Sequence, residues 1–211
     1  VGSKPTHLPF IFFWLSKYGM LKVDHKYSTD KAYQFFSKNG LVQQDIQWHC
    51  MPADTLDKIS NFLFGTGLQI GSFVGISHCH LAANKNVKLL CTVDINTKHA
   101  GVVKPLDYCR SLAKYFKLSE KSLFIEGSSE TVMRGLISIK SKFDFILLDG
   151  NHEESQVQLE ISLADSLLKS GGYLILDDID FWVGPRNMYN KGIVGYNKVA
   201  LDSRAGLFQK V

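Results

Sequence analysis

Residues 143–180 read FDFILLDGNHEESQVQLEISLADSLLKSGGYLILDDID, and this stretch decides the fold. It holds two apolar runs that each end in acid. Phe145, Ile146, Leu147 and Leu148 lead to Asp149, and Tyr173, Leu174, Ile175 and Leu176 lead to Asp177 and Asp178. Uninterrupted apolar runs of this length predict strands buried on both faces. Between them Val157, Ile161, Ala164 and Leu168 recur at helical spacing, with Asn151 placed to cap the helix and Gly171-Gly172 to end it. The unit is βαβ, and its right-handed crossover returns the chain parallel, so both carboxyl ends lie at one sheet edge. Neighbouring strands are about 4.8 Å apart, which brings Asp149 within reach of a cation or polar ligand shared with Asp177 or Asp178. Successive strand side chains point to opposite faces, which argues against both of those acids reaching one ligand.

Outside this unit the same alternation continues. Residues 68–71 predict a short strand, 72–75 a Gly-bounded turn and 76–83 the opening of a helix. Residues 88–94 and 123–127 predict further strands, 105–116 and 130–139 helices, and 192–199 with 206–210 a closing pair. Strands alternating with helices in this way predict an α/β fold: a doubly wound, mostly parallel seven-stranded sheet with helices on both faces. Nearer the N-terminus, residues 52–64 read as a helix with Leu56, Ile59 and Leu63 on its apolar face, and 22–38 as a loop followed by a helix. Residues 5–20, rich in aromatics (Phe10, Phe12, Phe13, Trp14, Tyr18), read as a helix on the core or a lid over a substrate. The expected division is a helical cap over residues 1–64 and a Rossmann-like cofactor-binding domain over 65–211.

In doubly wound sheets ligands sit beyond the carboxyl ends of the strands, where the strand order reverses. Three features fall there. Gly71-Ser72-Phe73-Val74-Gly75 allows backbone to approach a ligand closely, and the helix after it offers free amide donors. Asp94 ends the second strand, where a carboxylate can accept both hydroxyls of a ribose. Gly127-Ser128-Ser129-Glu130 ends the third, where small polar groups can meet the edge of a base. Their order at three successive strand ends predicts a nucleoside-type cofactor.

Over residues 68–180 the chain resembles the class I S-adenosylmethionine-dependent methyltransferases. The Ile-Gly-x-x-x-Gly spacing at residues 70–75 looks like their first motif and lacks the G-x-G-x-x-G of nicotinamide enzymes. The strings IEGSSE, FDFILLDGNHEE and LLKSGGYLILDD look most like the metal-dependent O-methyltransferases of the catechol and antibiotic-sugar types. The resemblance implies that Gly71, Ser72, Gly75, Asp94, Ser128, Ser129 and Asp149 surround S-adenosylmethionine and that Asp149, Asp177 and Asp178 hold Mg²⁺. There are departures: Gln69 stands where many members carry an acid, Asp178 where the catechol type has Asn, and His152 where it has the Lys used as base. A hard cation on oxygen ligands lowers the pKa of an alcohol and orients it, and an adjacent base takes its proton. His152 is the expected base.

At 211 residues and 45% hydrophobic content the chain is large enough for a real core. A net charge of +4, spread along the sequence, falls short of a nucleic-acid footprint, and no apolar run approaches the ~20 residues that cross a bilayer. The expected partner is a small hydroxylated substrate, with no nucleic acid or membrane; self-association as a homo-oligomer is left open. Cys50, Cys79, Cys91 and Cys109 show no CxxC spacing and read as free thiols, and no signal-peptide pattern is present, which together predict a cytoplasmic setting. His78 and His80 flank Cys79 without a fourth ligand, so they do not make a zinc site. The chain opens Val1-Gly2-Ser3 without Met and reads as a processed or excised piece. Two other readings stand beside the methyltransferase: a nucleotide-sugar or nicotinamide enzyme on the same fold, and a cofactor-binding interaction domain without turnover inside a longer protein.

Overall fold

The computed structural model describes residues 27–199 and 201–211, so the helix or lid expected over residues 5–20 lies outside the described residues. Among the described residues three helices come first, α1 (Thr29–Lys38), α2 (Gln43–Gln47) and α3 (Ala53–Ser60). They are followed by β1 (Gly65–Ile70), α4 (Ile76–Ala83), β2 (Val87–Asp94), α5 (Pro105–Tyr115), β3 (Ser122–Glu126), α6 (Ser129–Ser138) and β4 (Phe143–Leu148). The chain closes with α7 (Glu154–Leu167), β5 (Leu168–Leu176), α8 (Val183–Lys191), β6 (Tyr196–Val199) and β7 (Gly206–Lys210). The strands form one seven-stranded sheet in the order β3-β2-β1-β4-β5-β7-β6. The first five pair in parallel, and β7 is antiparallel to both β5 and β6. The order reverses between β1 and β4, which opens a crevice at their carboxyl ends.

Alternation along the strands sends side chains into two cores, one on each face. Phe145, Leu147 and Ile175 join the cluster that includes Phe36, Leu56, Ile59, Ile76 and Leu112 from the first five helices. Ile146, Leu148, Leu174 and Leu176 join the opposite one, with Met133, Leu136, Val157, Ile161 and Leu167 from α6 and α7. Phe145, Ile146 and Leu147 are all fully buried, which is why β4 is apolar without interruption. Each such side chain contributes about 1.5–3 kcal/mol of burial. The four cysteines are buried free thiols, as expected.

The structure corrects several local expectations. Gly171-Gly172 does not end the crossover helix: α7 stops at Leu167, and Leu168 already pairs with Phe143. The two glycines lie inside β5 at a register shift, where the left-handed φ of +75° at Gly171 forms a bulge. Asn151 does not cap α7; its Oδ1 accepts from the Glu153 N–H at 2.8 Å and shapes the preceding turn, while Glu153 occupies the cap. The helix expected over 52–64 is shorter, Ala53–Ser60.

Candidate active site

Backbone pairing carries one step beyond each strand and draws the strand ends together. Gly71 N donates to Val93 O, Gly127 N to Asp94 O, Asp149 N to Ile70 O and Asp177 N to Leu148 O, all at 2.9–3.1 Å. Gly71 can be nothing larger. Its φ is +78°, and a Cβ there would sit 1.9 Å from the Asp149 carbonyl oxygen. The close approach of β1 to β4 at the switch point therefore depends on this residue.

At the ends of β1 to β3 the polar groups bind one another. Asp94 Oδ2 accepts from Ser72 N at 3.0 Å and Ser72 Oγ at 3.3 Å, and its Oδ1 accepts from Asn96 N at 2.7 Å. A carboxylate has about four acceptor positions, so one remains for a ligand while Ser72 stays in place. Asn96 in turn donates to Glu126 Oε2 and accepts from Leu106 N, tying the loop to β3 and α5. Gly75 starts α4 with a left-handed φ and no side-chain cap, which leaves the first amides of that helix without a side-chain partner. Phe73, His49 and His99 pack edge to face beside this turn, with ring centroids 5.1–5.8 Å apart.

The two serines part ways. Ser128 is the N-cap of α6: its Oγ accepts from Thr131 N and donates to Thr131 Oγ1, so the fold already uses it. Ser129 reaches across to α7, where its hydroxyl donates to Glu160 Oε1 at 2.5 Å, and Gln156 donates to both. Glu160 is 1% exposed, and burial holds its carboxyl above the ordinary range against the pull of Ser129 and Gln156. Glu160 went unnoticed in the sequence, although its signal is there: it lies on the apolar face of α7, one position before Ile161.

At the ends of β4 and β5 acids converge. Asp149, His152 and Asp178 each offer one ligand atom, and these atoms all lie within 4.8 Å of one another. Burial, followed by the facing carboxylates of Asp177 and Asp178, pushes the Asp149 carboxyl well above its usual value. Asp177 is not in that group. It is 2% exposed, and Arg204 grips it with both Nε (2.9 Å) and Nη2 (3.2 Å). Asp178, at φ +59°, gives Oδ1 to Arg204 Nη2 at 2.8 Å and brings Oδ2 to 3.1 Å from His152 Nε2. That last contact is short, yet it lacks hydrogen-bond alignment, and Nε2 is a buried atom without a partner. The imidazole is held by stacking on Trp182, with centroids 5.2 Å apart and planes 4° from parallel. Cys50 supplies no nucleophile, since burial pushes its thiol up to about 12. Arg204 and Trp182 were not anticipated from sequence.

Comparison with known proteins identifies the family and the fold. A family model described as a methyltransferase domain matches residues 68–179, and no curated protein sequence matches the chain. Among solved structures, the chain is similar to an O-methyltransferase from Bacillus cereus in complex with SAH, at 16% identity and a TM-score of 0.66, covering 86% of this chain and 90% of that one. It is similar to a putative caffeoyl-CoA O-methyltransferase from Staphylococcus aureus, at 16% identity and 0.66, covering 88% and 94%. It also resembles the O-methyltransferase TomG from Streptomyces achromogenes, involved in tomaymycin synthesis and solved with SAM, at 14% identity and 0.63, covering 95% and 94%. At these identities the structures share a fold with the chain, while the family match spans more than half of its length, including every strand end described above. The chain belongs to the methyltransferase-domain family, as its resemblance to the class I S-adenosylmethionine-dependent enzymes implied.

Proposed function

We propose that the protein is an S-adenosylmethionine-dependent O-methyltransferase, assisted by a divalent cation with Mg²⁺ as the expected ion. Its acceptor is a hydroxyl on a small molecule, a diol of a sugar or polyphenol, and residues 1–64 serve as its cap. One observation carries the reading: the family's strand-end motifs and an acid–imidazole cluster meet at the same sheet edge, across the β1/β4 switch point. The B. cereus and Streptomyces structures, solved with SAH and SAM, support the cofactor. The residues fit it. Gly71, Ser72 and Gly75 line a turn with backbone donors, Asp94 has an acceptor position left for a ribose hydroxyl, and Ser129, donating to Glu160 and accepting from Gln156, keeps one oxygen lone pair for a base's amino group. Asp149 closes that side, and Ser128 contributes through the helix it caps.

The donor set also fits a hard cation, since Mg²⁺ keeps several waters and needs only one or two carboxylates. Asp149 and Asp178 would hold it, and the unpartnered His152 Nε2 beside them is the atom a bound hydroxyl would meet. When bound, the cation supplies Lewis acidity that makes an alcohol easier to deprotonate. The chain itself supplies position and a proton acceptor. Asp149 and Asp178 fix where the hydroxyl lies, Trp182 holds the imidazole plane, and His152 takes the proton at Nε2. Phe181 and Trp182 are exposed beside His152 and offer an apolar wall to a ring-shaped acceptor. The test is methyl transfer from labelled S-adenosylmethionine to a panel of vicinal diols, with and without chelator. Transfer that chelator abolishes and Mg²⁺ restores is expected; full transfer in excess chelator would remove the cation from the proposal, and none to any hydroxyl would remove the reaction.

A further inference from the structure

Resting on the divalent-cation reading above, we propose that Arg204 is a resident cation of the acidic centre, which withdraws Asp177 from metal ligation and leaves Asp149 and Asp178 as the carboxylates for the ion. The geometry is a fork on a carboxylate: each Asp177 oxygen accepts from Arg204, and Nη2 is shared with Asp178 Oδ1. This is a built position. Asp202 Oδ1 accepts from the backbone N–H groups of Arg204 and Ala205, both at 3.0 Å, and Asp202 Oδ2 accepts from Thr55 Oγ1 at 2.9 Å and Lys58 Nζ at 3.2 Å. The Arg204 carbonyl accepts from Ile179 N at 3.0 Å. The β6–β7 loop is thus clamped to α3 on one side and to the chain after β5 on the other, with the guanidinium aimed between them.

Charge balance follows the same lines. Three carboxylates and one guanidinium leave a formal charge of −2, which one divalent ion matches. Asp177 keeps further lone pairs, but Arg204 already matches its charge and its atoms stand outside the group that Asp149, His152 and Asp178 form; recruiting it to the ion would draw it off the guanidinium, a costly exchange for a mostly buried ion pair. An ion that asks for one or two carboxylates gives no reason for that exchange. Arg204 therefore decides which of two adjacent acids serves the ion.

The test is the affinity for Mn²⁺, followed by loss of the free-ion electron paramagnetic resonance signal, in three proteins: the parent, Arg204→Met, and the paired Asp177→Leu/Arg204→Met. Arg204→Met frees a third carboxylate and should bind Mn²⁺ on the order of tenfold tighter, as ligand charge count tunes such sites. The paired variant removes one carboxylate and one guanidinium together, leaves the net charge of the centre unchanged, and should match the parent within about threefold. Should Arg204→Met fail to fold, the paired variant decides alone, because apolar replacement of a buried pair is usually tolerated. A paired variant about tenfold weaker than the parent, on the scale of one lost carboxylate, would make Asp177 a ligand and overturn the proposal while leaving the metal reading intact. Arg204→Met binding no tighter than the parent would likewise overturn it. No Mn²⁺ binding by any of the three would overturn both together.

Discussion

The two halves of the sheet edge differ in how their polar groups are satisfied. At the ends of β1 to β3, Asp94, Ser72, Asn96, Ser129 and Glu160 bond to one another and to backbone, so that half is finished before any ligand arrives. At the ends of β4 and β5, three carboxylates gather with one guanidinium that contacts only Asp177 and Asp178, and an imidazole nitrogen lies buried without a partner. The first half is preorganised and its cost in stability is small. The second carries unbalanced charge that the rest of the fold holds in place, and a ligand has most to contribute there.

The largest expected effect lies in the unbalanced half. His152→Ala should lower kcat by 10² to 10⁴-fold, roughly 3 to 5 kcal/mol, and abolish the acidic limb of the pH–rate profile, with cofactor affinity nearly unchanged. A variant that keeps more than about a third of parental turnover would return His152 to a packing role beside Trp182.

A control away from both halves comes from His78, fully buried between Thr92 Oγ1 and Ser122 Oγ at the start of β3, each 2.7 Å from a ring nitrogen. Burial lowers its pKa from 6.5 to about 3. The folded state therefore refuses a proton that the unfolded chain accepts below pH 6.5, and stability is lost as pH falls toward the folded value. The expected slope is about 1.4 kcal/mol per pH unit, or a few kcal/mol in all. His78→Gln should flatten that slope between pH 6 and 4 in denaturant titrations; an equal slope in both proteins would show that His78 is not the group refusing the proton.

The smallest effect has the opposite sign. Asp149 has a carboxyl raised by burial and by Asp177 and Asp178, so its favourable contribution is present below the ordinary carboxylate range and is lost as pH rises through the raised value. Without divalent ions at neutral pH, Asp149→Asn should stabilise the fold by about 1 kcal/mol, near 2–4 °C in melting temperature for a chain of this size. Mg²⁺ should raise the parent's melting temperature and leave the variant's alone. A variant that melts lower than the metal-free parent would show that the acids are balanced without an ion.

The contrast between the halves also explains what could be read in advance. β4 and β5 were legible because both faces of each strand are buried, which writes an unbroken apolar run, and the acids at their ends mark where burial stops. The positions of Asp94 and Ser129 just where β2 and β3 end were legible because a strand end is a local feature. Alternation after β5 sets Asp177 and Asp178 to different sides, and with the left-handed backbone at Asp178 only Asp178 joins Asp149 and His152, while both acids meet at Arg204 Nη2. Arg204 could not be read in the same way. It reaches the acids only because β7 returns antiparallel beside β5 and Asp202 clamps the preceding loop to α3, a pairing with no periodic signature. Trp182 depends likewise on how α8 begins over the turn that carries His152.

The most direct test of the central claim is a calorimetric titration of S-adenosylmethionine into the parent protein and into Asp94→Ala. The account predicts saturable one-to-one binding by the parent and a loss of about 1.5 to 3 kcal/mol in the variant, at least tenfold in affinity. Part of that loss belongs to the Ser72 and Asn96 contacts that Asp94 organises. Absence of binding to the parent, or equal binding by the two proteins, would contradict the placement of the cofactor at the ends of β1 to β3.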